Sequence, residues 1–228
     1  MDYQLLKNSL NPINALKVIK YNIDFRIDHP DYFDPSGLLV FCGSQGSGKT
    51  LSAVSYVKKL CEKYKKAILV TNVEILGLPE WTQVIEYDGL DCLKSVENGY
   101  YGVIYLIDEI HLEFNSLESK NIPIEVMVEI SQQRKQRKHI VGTTQIYGRM
   151  AKPLREQIKN VVLCRNILGL FQFNTLIDGD NTYEKDGHLV TDTCKRLFWF
   201  HAPAMYVCYD TFAKMKRYRN EWKGRSIV

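Results

Sequence analysis

The sequence predicts an α/β domain in three layers, with a mostly parallel sheet of five strands between two layers of helices. The runs GLLVFCG, from Gly37, and AILVTNV, from Ala67, are apolar and have the length of buried strands. Between them, KTLSAVSYVKKLCEKYKK repeats its apolar residues with a helical period. Strand, helix and strand in succession form a βαβ unit, which belongs to a parallel sheet covered on both faces.

The remaining elements follow in the same alternation. Residues 1–36 are rich in turn formers and predict an irregular N-terminal arm. The core, residues 37–170, continues with a short strand QVIEY, a helix around residues 90–98, the strand GVIYLIDE, a helix from about Pro123 to Arg137, the strand HIVGTTQ, a short helix near Pro153 to Gln157, and the strand NVVLC. With the short QVIEY the strand segments number six, one more than the five strands expected in the sheet. Residues 171–228 predict a small β-hairpin extension followed by a basic tail.

Composition excludes several classes of protein. The chain has 228 residues, 45% of them hydrophobic and 25% charged, which excludes intrinsic disorder. Its start lacks the features of a signal peptide, and no apolar run approaches the roughly 18 residues that cross a bilayer. We therefore expect an intracellular, soluble protein without a transmembrane segment. The six cysteines are scattered singly, without metal-ligand spacing, and are interpreted as reduced core residues.

A phosphate-binding pattern lies between the first strand and the first core helix. The segment GSQGSGKT satisfies G-x-x-x-x-G-K-[ST], and its position after a buried strand favours an ATP-binding loop over a glycine-rich turn that matches by chance. We expect Lys49 to contact the β- and γ-phosphates and Thr50 to bind Mg²⁺. The predicted nucleotide-binding residues are Gly43, Ser44, Gln45, Gly46, Ser47, Gly48, Lys49, Thr50 and Leu51.

Two acidic residues end a later apolar strand. Asp108 and Glu109 follow the run VIYLI, where a first carboxylate can hold Mg²⁺ and a second can polarise the attacking water. We assign Asp108 to the metal and Glu109 to the water. The alternative is an ordinary strand end with acidic residues.

Two further residues are candidates for catalysis. Gln145 ends the next strand and is interpreted as a sensor of the γ-phosphate or the attacking water, with a hydrogen-bonded loop amide as the alternative. Arg137, with Arg134 as second choice, lies in the basic stretch from Gln132 to His139 and is a candidate arginine finger for a neighbouring subunit. The alternative is a cation that stabilises the end of a helix dipole.

Together these residues resemble the P-loop ATPases of the FtsK/HerA division of the RecA-like (ASCE) superfamily, and within it the zonula occludens toxin-like (Zot) ATPases of phages. The resemblance rests on GSQGSGKT, IYLIDEIHLEF, RKQRKH, and VGTTQ followed by PLREQIKNVVLCR. It implies ATP and Mg²⁺ as cofactors and a ring-forming motor that moves DNA. Implied partners are DNA, further copies of the chain in a ring such as a hexamer, and capsid or phage assembly proteins.

The chain departs from the filamentous-phage pattern in two ways. There, the phosphate loop begins almost at the N-terminus and a transmembrane segment follows; here 42 residues precede Gly43 and no span is found. We therefore expect a genome-packaging or DNA-translocating ATPase in the host cytoplasm, or associated with the virion, with a filamentous-phage assembly ATPase as the alternative. The net charge is +4, and a DNA contact is expected in the tail at Lys214, Lys216, Arg217 and Arg219.

Two other functions remain open at this point. A small-molecule kinase would need a lid, for which residues 147–165 with Arg149, Arg155 and Arg165 are the candidate. A nucleotide-dependent switch would bind ATP without turnover. The Asp108–Glu109 pair favours hydrolysis over both, because it suits water as the nucleophile.

Overall fold

The structure, a computed structural model, describes residues 12–179, 183–185, 188–190, 193–206 and 208. The chain divides into two compact units, residues 1–32 and residues 33–228. In the first unit, helix α1 spans Pro12–Asp28, so the expectation of an irregular arm is wrong for these residues. The turn formers lie at the ends of this helix: proline is tolerated at its first position, and His29-Pro30 follows its last.

In the second unit, eight strands of the described residues form one sheet, in the order β10-β7-β6-β1-β5-β4-β2-β3. Their bounds are β1 (Gly37–Cys42), β2 (Ile68–Thr71), β3 (Gln83–Glu86), β4 (Val103–Ile107), β5 (Lys138–Thr144), β6 (Ile158–Ile167), β7 (Phe171–Asp178) and β10 (Thr193–Phe200). The short strands β8 (Tyr183–Lys185) and β9 (His188–Val190) pair with each other.

The α-helices of this unit are α2 (Lys49–Lys63), α3 (Cys92–Ser95), α4 (Ile124–Gln132), α5 (Lys152–Arg155) and α6 (Pro203–Tyr206). Short 3₁₀ turns span Gly99–Tyr101, Ile110–Leu112, Ser116–Asn121 and Tyr147–Arg149. The helix predicted to reach Arg137 ends at Gln132, and Arg137 itself has a positive φ of 54°. The basic residues therefore lie in the turn between α4 and β5.

The predicted α/β class is confirmed, but the sheet has eight strands where five were expected. Strands β1 to β6 are parallel, whereas β7 runs antiparallel to β6 and β10 antiparallel to β7. The predicted C-terminal extension thus continues the main sheet. A tight turn makes this possible, because Leu168 and Gly169 both have positive φ, and the chain reverses directly onto β6.

The core lies on both faces of the sheet. On one face, α2 packs Val54, Val57 and Leu60 against strand residues such as Phe41 and Leu69. On the other, residues of α3, α4 and α5 pack against β1, β4 and β5. All six cysteines are free, but only Cys42, Cys61 and Cys164 are buried; Cys92 and Cys208 are half-buried and Cys194 is exposed, so the core assignment is wrong for the last.

Candidate active site

The phosphate loop connects β1 to α2 at the carboxyl edge of the parallel strands. Gly46 and Gly48 have φ values of 77° and 79°, a conformation that L side chains rarely adopt. A side chain on Gly43 would collide with the Ser47 hydroxyl and the Cys164 carbonyl. The loop therefore needs glycine at these positions, and it leads directly into the positive end of a 15-residue helix, where phosphate groups bind.

Asp108 lies at the end of β4 within hydrogen-bond distance of the start of α2. The hydroxyls of Thr50 and Thr143 donate to its Oδ1 at 3.0 and 2.6 Å. Asn72 clamps its backbone, since the amide Nδ2 donates to the Asp108 carbonyl at 3.1 Å and Oδ1 accepts from its N–H at 2.8 Å. The sequence reasoning missed Asn72, whose only signal is its place directly after β2.

The surroundings of Asp108 fit a divalent cation. Burial is the main reason why the pKa of Asp108 is raised; the bond from Thr143, the largest opposing influence, lowers it, while the charge of Glu109 raises it further. A cation would offset this burial cost, and hydroxyl and carboxylate oxygens are the ligands that Mg²⁺ prefers. Thr50 and Asp108 would hold such an ion, with phosphate oxygens and water completing its shell.

Glu109 is held in a constrained backbone conformation next to Lys49. Its φ is 52°, and its N–H donates to the Thr143 hydroxyl at 2.9 Å. Its Oε1 lies 3.5 Å from Lys49 Nζ and accepts from Gln145 Nε2 at 3.2 Å. The structure therefore brings together the three residues to which the sequence assigned phosphate contact, water activation and sensing; the roles themselves stay predictions.

His111 is a fourth side chain at this carboxylate, and the sequence reasoning did not assign it a role. Its buried ring places Nδ1 3.2 Å from Glu109 Oε2, without hydrogen-bond geometry, and 3.3 Å from the Thr144 hydroxyl. Burial is the main cause that lowers the pKa of His111, Glu109 opposes it, and the charge of exposed Arg149 adds to the lowering. The only sequence signal is its spacing two residues after Glu109.

The other side of the phosphate loop is lined by amides. Gln172 Nε2 donates to the Ser47 carbonyl at 3.0 Å, and Asn174 Nδ2 to the Ser52 hydroxyl at 3.0 Å. Asn166 Nδ2 donates to the Gly46 carbonyl at 3.4 Å. The sequence reasoning missed all three, because it assigned their strands to the end of the core and to an extension. A signal exists in the alternation FQFNT, which places both β7 amides on one face.

Arg137 lies away from its own phosphate loop. It precedes β5, whereas Thr143, Thr144 and Gln145 lie at or after its carboxyl end; seven residues at about 3.3 Å each separate the two edges by roughly 20 Å. Its guanidinium stacks on the Tyr100 ring at 5.1 Å, and its carbonyl accepts from the Val103 N–H. A role toward a neighbouring subunit stays a prediction.

The candidate kinase lid does not form a separate segment. Residues 158–165 of the proposed lid lie in β6, and residues 158–163 of this strand pair with β1 in the middle of the sheet. The basic residues of the C-terminal tail, from Lys214 to Arg219, lie outside the described residues. Among the helices in the described ranges, none has the length and apolar character needed to cross a membrane.

Comparison with known proteins identifies relatives of this fold. The family model described as zonular occludens toxin (Zot) matches residues 38–195. The N-terminal domain of zonular occludens toxin from Neisseria meningitidis superposes with a TM-score of 0.55 at 15% identity, over 77% of this chain and 100% of that one. The genome packaging NTPase B204 of Sulfolobus turreted icosahedral virus 2, in complex with ATP-gammaS, superposes with a TM-score of 0.49 at 13% identity, over 68% of this chain and 96% of that one.

One curated relative matches over part of its length. The signal recognition particle protein of Buchnera aphidicola is 26% identical over 127 residues, which are 53% of this chain and 24% of that protein. The chain thus spans about a quarter of this relative.

Proposed function

Because the chain belongs to the zonular occludens toxin (Zot) family and has the fold of P-loop ATPases, we propose that it hydrolyses ATP and uses the energy to move DNA. The observation that carries the hydrolytic part is the position of Glu109. A carboxylate at the carboxyl edge of a strand, 3.5 Å from the lysine of the phosphate loop, can accept a proton from an attacking water.

The residues present fit a nucleoside triphosphate. The loop between β1 and α2 offers backbone N–H groups, the start of a helix and Lys49, which together favour a chain of phosphates. Lys49 lies 3.5 Å from Glu109 in this structure. A bound phosphate would attract the lysine as well, which would weaken its contact with Glu109 and allow the carboxylate to act on water. Mg²⁺, when bound, would neutralise phosphate charge between Thr50 and Asp108.

Gln145 connects Glu109, which follows β4, to strand β5. Its amide donates to Glu109 Oε1 at 3.2 Å, and its backbone follows β5, which lies between β1 and β4. A change in the Glu109 hydrogen bonds on hydrolysis would therefore be transmitted to β5. This supports the sensor role proposed for Gln145.

DNA is the proposed substrate of the motor. Support comes from family membership, from a net charge of +4, and from the basic residues concentrated near the C-terminus. Genome packaging is the first candidate process. Filamentous-phage assembly is the second. Fractionation of infected cells separates the two, since a packaging motor should accompany capsids and an assembly ATPase should accompany membranes.

The test of the proposed activity is ATP hydrolysis with and without DNA. Purified protein should hydrolyse Mg-ATP, and DNA should raise the rate. Lys49→Ala should abolish nucleotide binding or turnover, because the phosphate charge loses the cation of the loop, whereas Lys63→Ala at the other end of α2 should leave both unchanged. Turnover that is unaffected by Lys49→Ala would contradict the proposal, and turnover without any response to DNA would contradict its second half.

The tail supplies a separate test of the DNA contact. Affinity for DNA should fall steeply with salt, because each bound phosphate releases counterions. Replacing Lys214, Lys216, Arg217 and Arg219 by alanine should flatten the log-log slope by about one unit for each phosphate that the variant no longer binds. An unchanged slope would place the DNA contact elsewhere on the chain.

A ring is the proposed assembly, with Arg137 acting on the neighbour's nucleotide. Activity per subunit should rise with protein concentration, and Arg137→Ala should stop turnover while ATP still binds. Mixing Arg137→Ala with Glu109→Gln subunits should restore part of the activity if the arginine acts in trans. Concentration-independent activity without rescue would exclude the ring.

A further inference from the structure

The first four residues of strand β7 bury two amides and leave two aromatic rings half-buried. In the segment FQFNT, Gln172 is fully buried and Asn174 is 5% exposed, whereas Phe171 and Phe173 are half-buried on the opposite face. Burying an amide costs about 1–3 kcal/mol unless its hydrogen bonds are satisfied. A strand with this inverted pattern needs an explanation, and the partners of the two amides supply it.

Gln172 is fully hydrogen-bonded, and its first partner is the phosphate loop. Its Nε2 donates to the Ser47 carbonyl at 3.0 Å and to Asn174 Oδ1 at 2.8 Å. Its Oε1 lies 3.2 Å from His201 Nε2, which donates to it in this network. The amide orientation is thus set by all three contacts, because reversing it would place Nε2 against the histidine donor and Oε1 against two acceptors.

The bond to Ser47 orients one peptide group of the phosphate loop. In a planar trans peptide the carbonyl and the following N–H point in opposite directions. With the Ser47 carbonyl directed at Gln172, the N–H of Gly48 points away from it. A side chain at Gly48 would also collide with Gln172. The strand and the loop are therefore in direct contact at the residue before Lys49.

His201 extends this contact to the end of β10. Its Nδ1 lies within hydrogen-bond distance of the Tyr206 hydroxyl in α6 and 3.2 Å from the Gly169 carbonyl in the β6–β7 turn. The Tyr206 hydroxyl also lies 2.6 Å from the Gly169 carbonyl. It has a single proton, which it shares between this carbonyl and Nδ1, because the ring carries its own proton on Nε2. A continuous hydrogen-bonded path thus runs from the phosphate loop, through Gln172 and His201, to α6.

We propose that Gln172 is a positioning residue of the nucleotide site, which fixes the Ser47–Gly48 peptide for phosphate binding, and that His201 fixes the orientation of its amide. The inference rests on the nucleotide binding proposed above. It gives the C-terminal strands a function, since they brace the phosphate loop from the side opposite the two acids. The same path ends at Tyr206 in α6.

The first experiment is ATP titration of the full chain carrying Gln172→Glu. This substitution keeps the shape and the acceptor that faces His201, but it replaces the donor with an oxygen that faces the Ser47 carbonyl. Affinity for Mg-ATP should fall at least tenfold. Gln157→Glu, a half-buried glutamine after α5, is the matched control and should bind as the wild type does.

The second experiment tests His201 and serves if Gln172→Glu does not fold. His201→Phe removes the donor to Gln172 and should weaken ATP binding about threefold or more, while His201→Gln, which retains an N–H donor, should restore most of the affinity. A role in folding alone would lower the thermal unfolding temperature of both variants without separating their affinities.

The outcomes distinguish the inference from the function on which it rests. If the wild type fails to bind ATP, the proposed function is wrong. If the wild type binds in a Lys49-dependent manner while folded Gln172→Glu and His201→Phe bind within twofold of it, the positioning role is wrong.

Discussion

The phosphate loop is flanked by two regions of opposite chemistry. On one side, the ends of β4 and β5 bring Asp108, Glu109, Thr143 and Gln145 together. On the other, β6 and β7 contribute Asn166, Gln172 and Asn174. The acid side can exchange protons and hold a cation, whereas the amide side is neutral and can only donate and accept hydrogen bonds. The acid side is therefore suited to catalysis, and the amide side is suited to holding the phosphate loop in place.

Glu109 on the acid side and Gln172 on the amide side differ in how completely their polar atoms are satisfied, although Asn166 Oδ1 on the amide side also lacks a hydrogen bond. Glu109 Oε2 is buried without a hydrogen bond, although His111 lies near it, and Asp108 has a raised pKa whose main cause is burial. The polar atoms of Gln172 all have partners within the chain. A carboxylate oxygen without a hydrogen bond is expected where a ligand binds, and a fully hydrogen-bonded amide where a structure must be held. Four predictions test this comparison.

The largest effect is expected for Glu109→Gln. The amide keeps the shape of the side chain but cannot take a proton, so kcat should fall by about 10²–10⁴ while ATP still binds. Single-turnover hydrolysis and ATP titration measure the two quantities. Glu118→Gln, at an exposed position, is the control. Near-normal turnover in Glu109→Gln would show that Glu109 is not the general base.

The second prediction compares two glycines of the loop. Gly46→Ala and Gly48→Ala both place a side chain at positive φ, which costs about 1–2 kcal/mol. Only Gly48→Ala also displaces Gln172, because no atom lies within 4 Å of a Cβ at Gly46. The free energy of unfolding should therefore fall further for Gly48→Ala, by about 3 kcal/mol in total.

Chemical denaturation measures this difference. In a chain that already carries Gln172→Ala, Gly48→Ala should no longer cost the free energy that comes from displacing Gln172. The cost of a side chain at positive φ should remain. Equal losses at the two glycines would show that the amide side does not constrain the loop.

The third prediction compares Thr143 and Thr144, which are both fully buried at the end of β5. Thr143→Val removes the hydroxyl that bonds Asp108 and the Glu109 N–H, so it should cost about 1–3 kcal/mol of stability and also slow hydrolysis. Thr144→Val removes bonds to Ile146 and His111 and should lower stability with a smaller effect on kcat. Equal losses of kcat would contradict the assignment of Thr143 to the acids.

The smallest effect concerns the opposite end of β5. Burial is the main cause that lowers the pKa of His139 to about 4, and the ring is held by Tyr56 and the Gly37 carbonyl. Since its pKa is about 6.5 when unfolded, the unfolded chain binds more protons below that pH. Stability is therefore present above pH 6.5 and is lost as the pH falls toward 4.

Urea unfolding at pH 7 and pH 5 should show a loss of about 2 kcal/mol from this histidine. In His139→Gln the free energy of unfolding should no longer lose this amount, about 2 kcal/mol, between pH 7 and pH 5. If the free energy of unfolding of His139→Gln depends on pH as that of the wild type does, the dependence arises instead from the acids at the other end of the strand.

The sequence by itself determined the acid side of the site. GSQGSGKT and the pair Asp108–Glu109 each lie at the end of a strand that is apolar throughout, and the carboxyl ends of parallel strands meet at one edge of the sheet. Residues that follow such strands must therefore lie near one another. Local pattern and topology agree here, so Thr50, Asp108 and Gln145 could be placed near the loop before the fold was known.

Only the tertiary structure decided the amide side and the position of Arg137. The predicted hairpin extends the main sheet, which depends on the pairing of β7 with β6 and cannot be read from the strand sequence alone. That pairing sets which face of FQFNT meets the loop. Likewise, the composition of the basic turn does not reveal which edge of the sheet it occupies; α4 ends at Gln132 and β5 begins at Lys138, which places Arg137 opposite the phosphate loop. Contacts between segments distant in sequence follow from packing, and packing is decided by the whole fold.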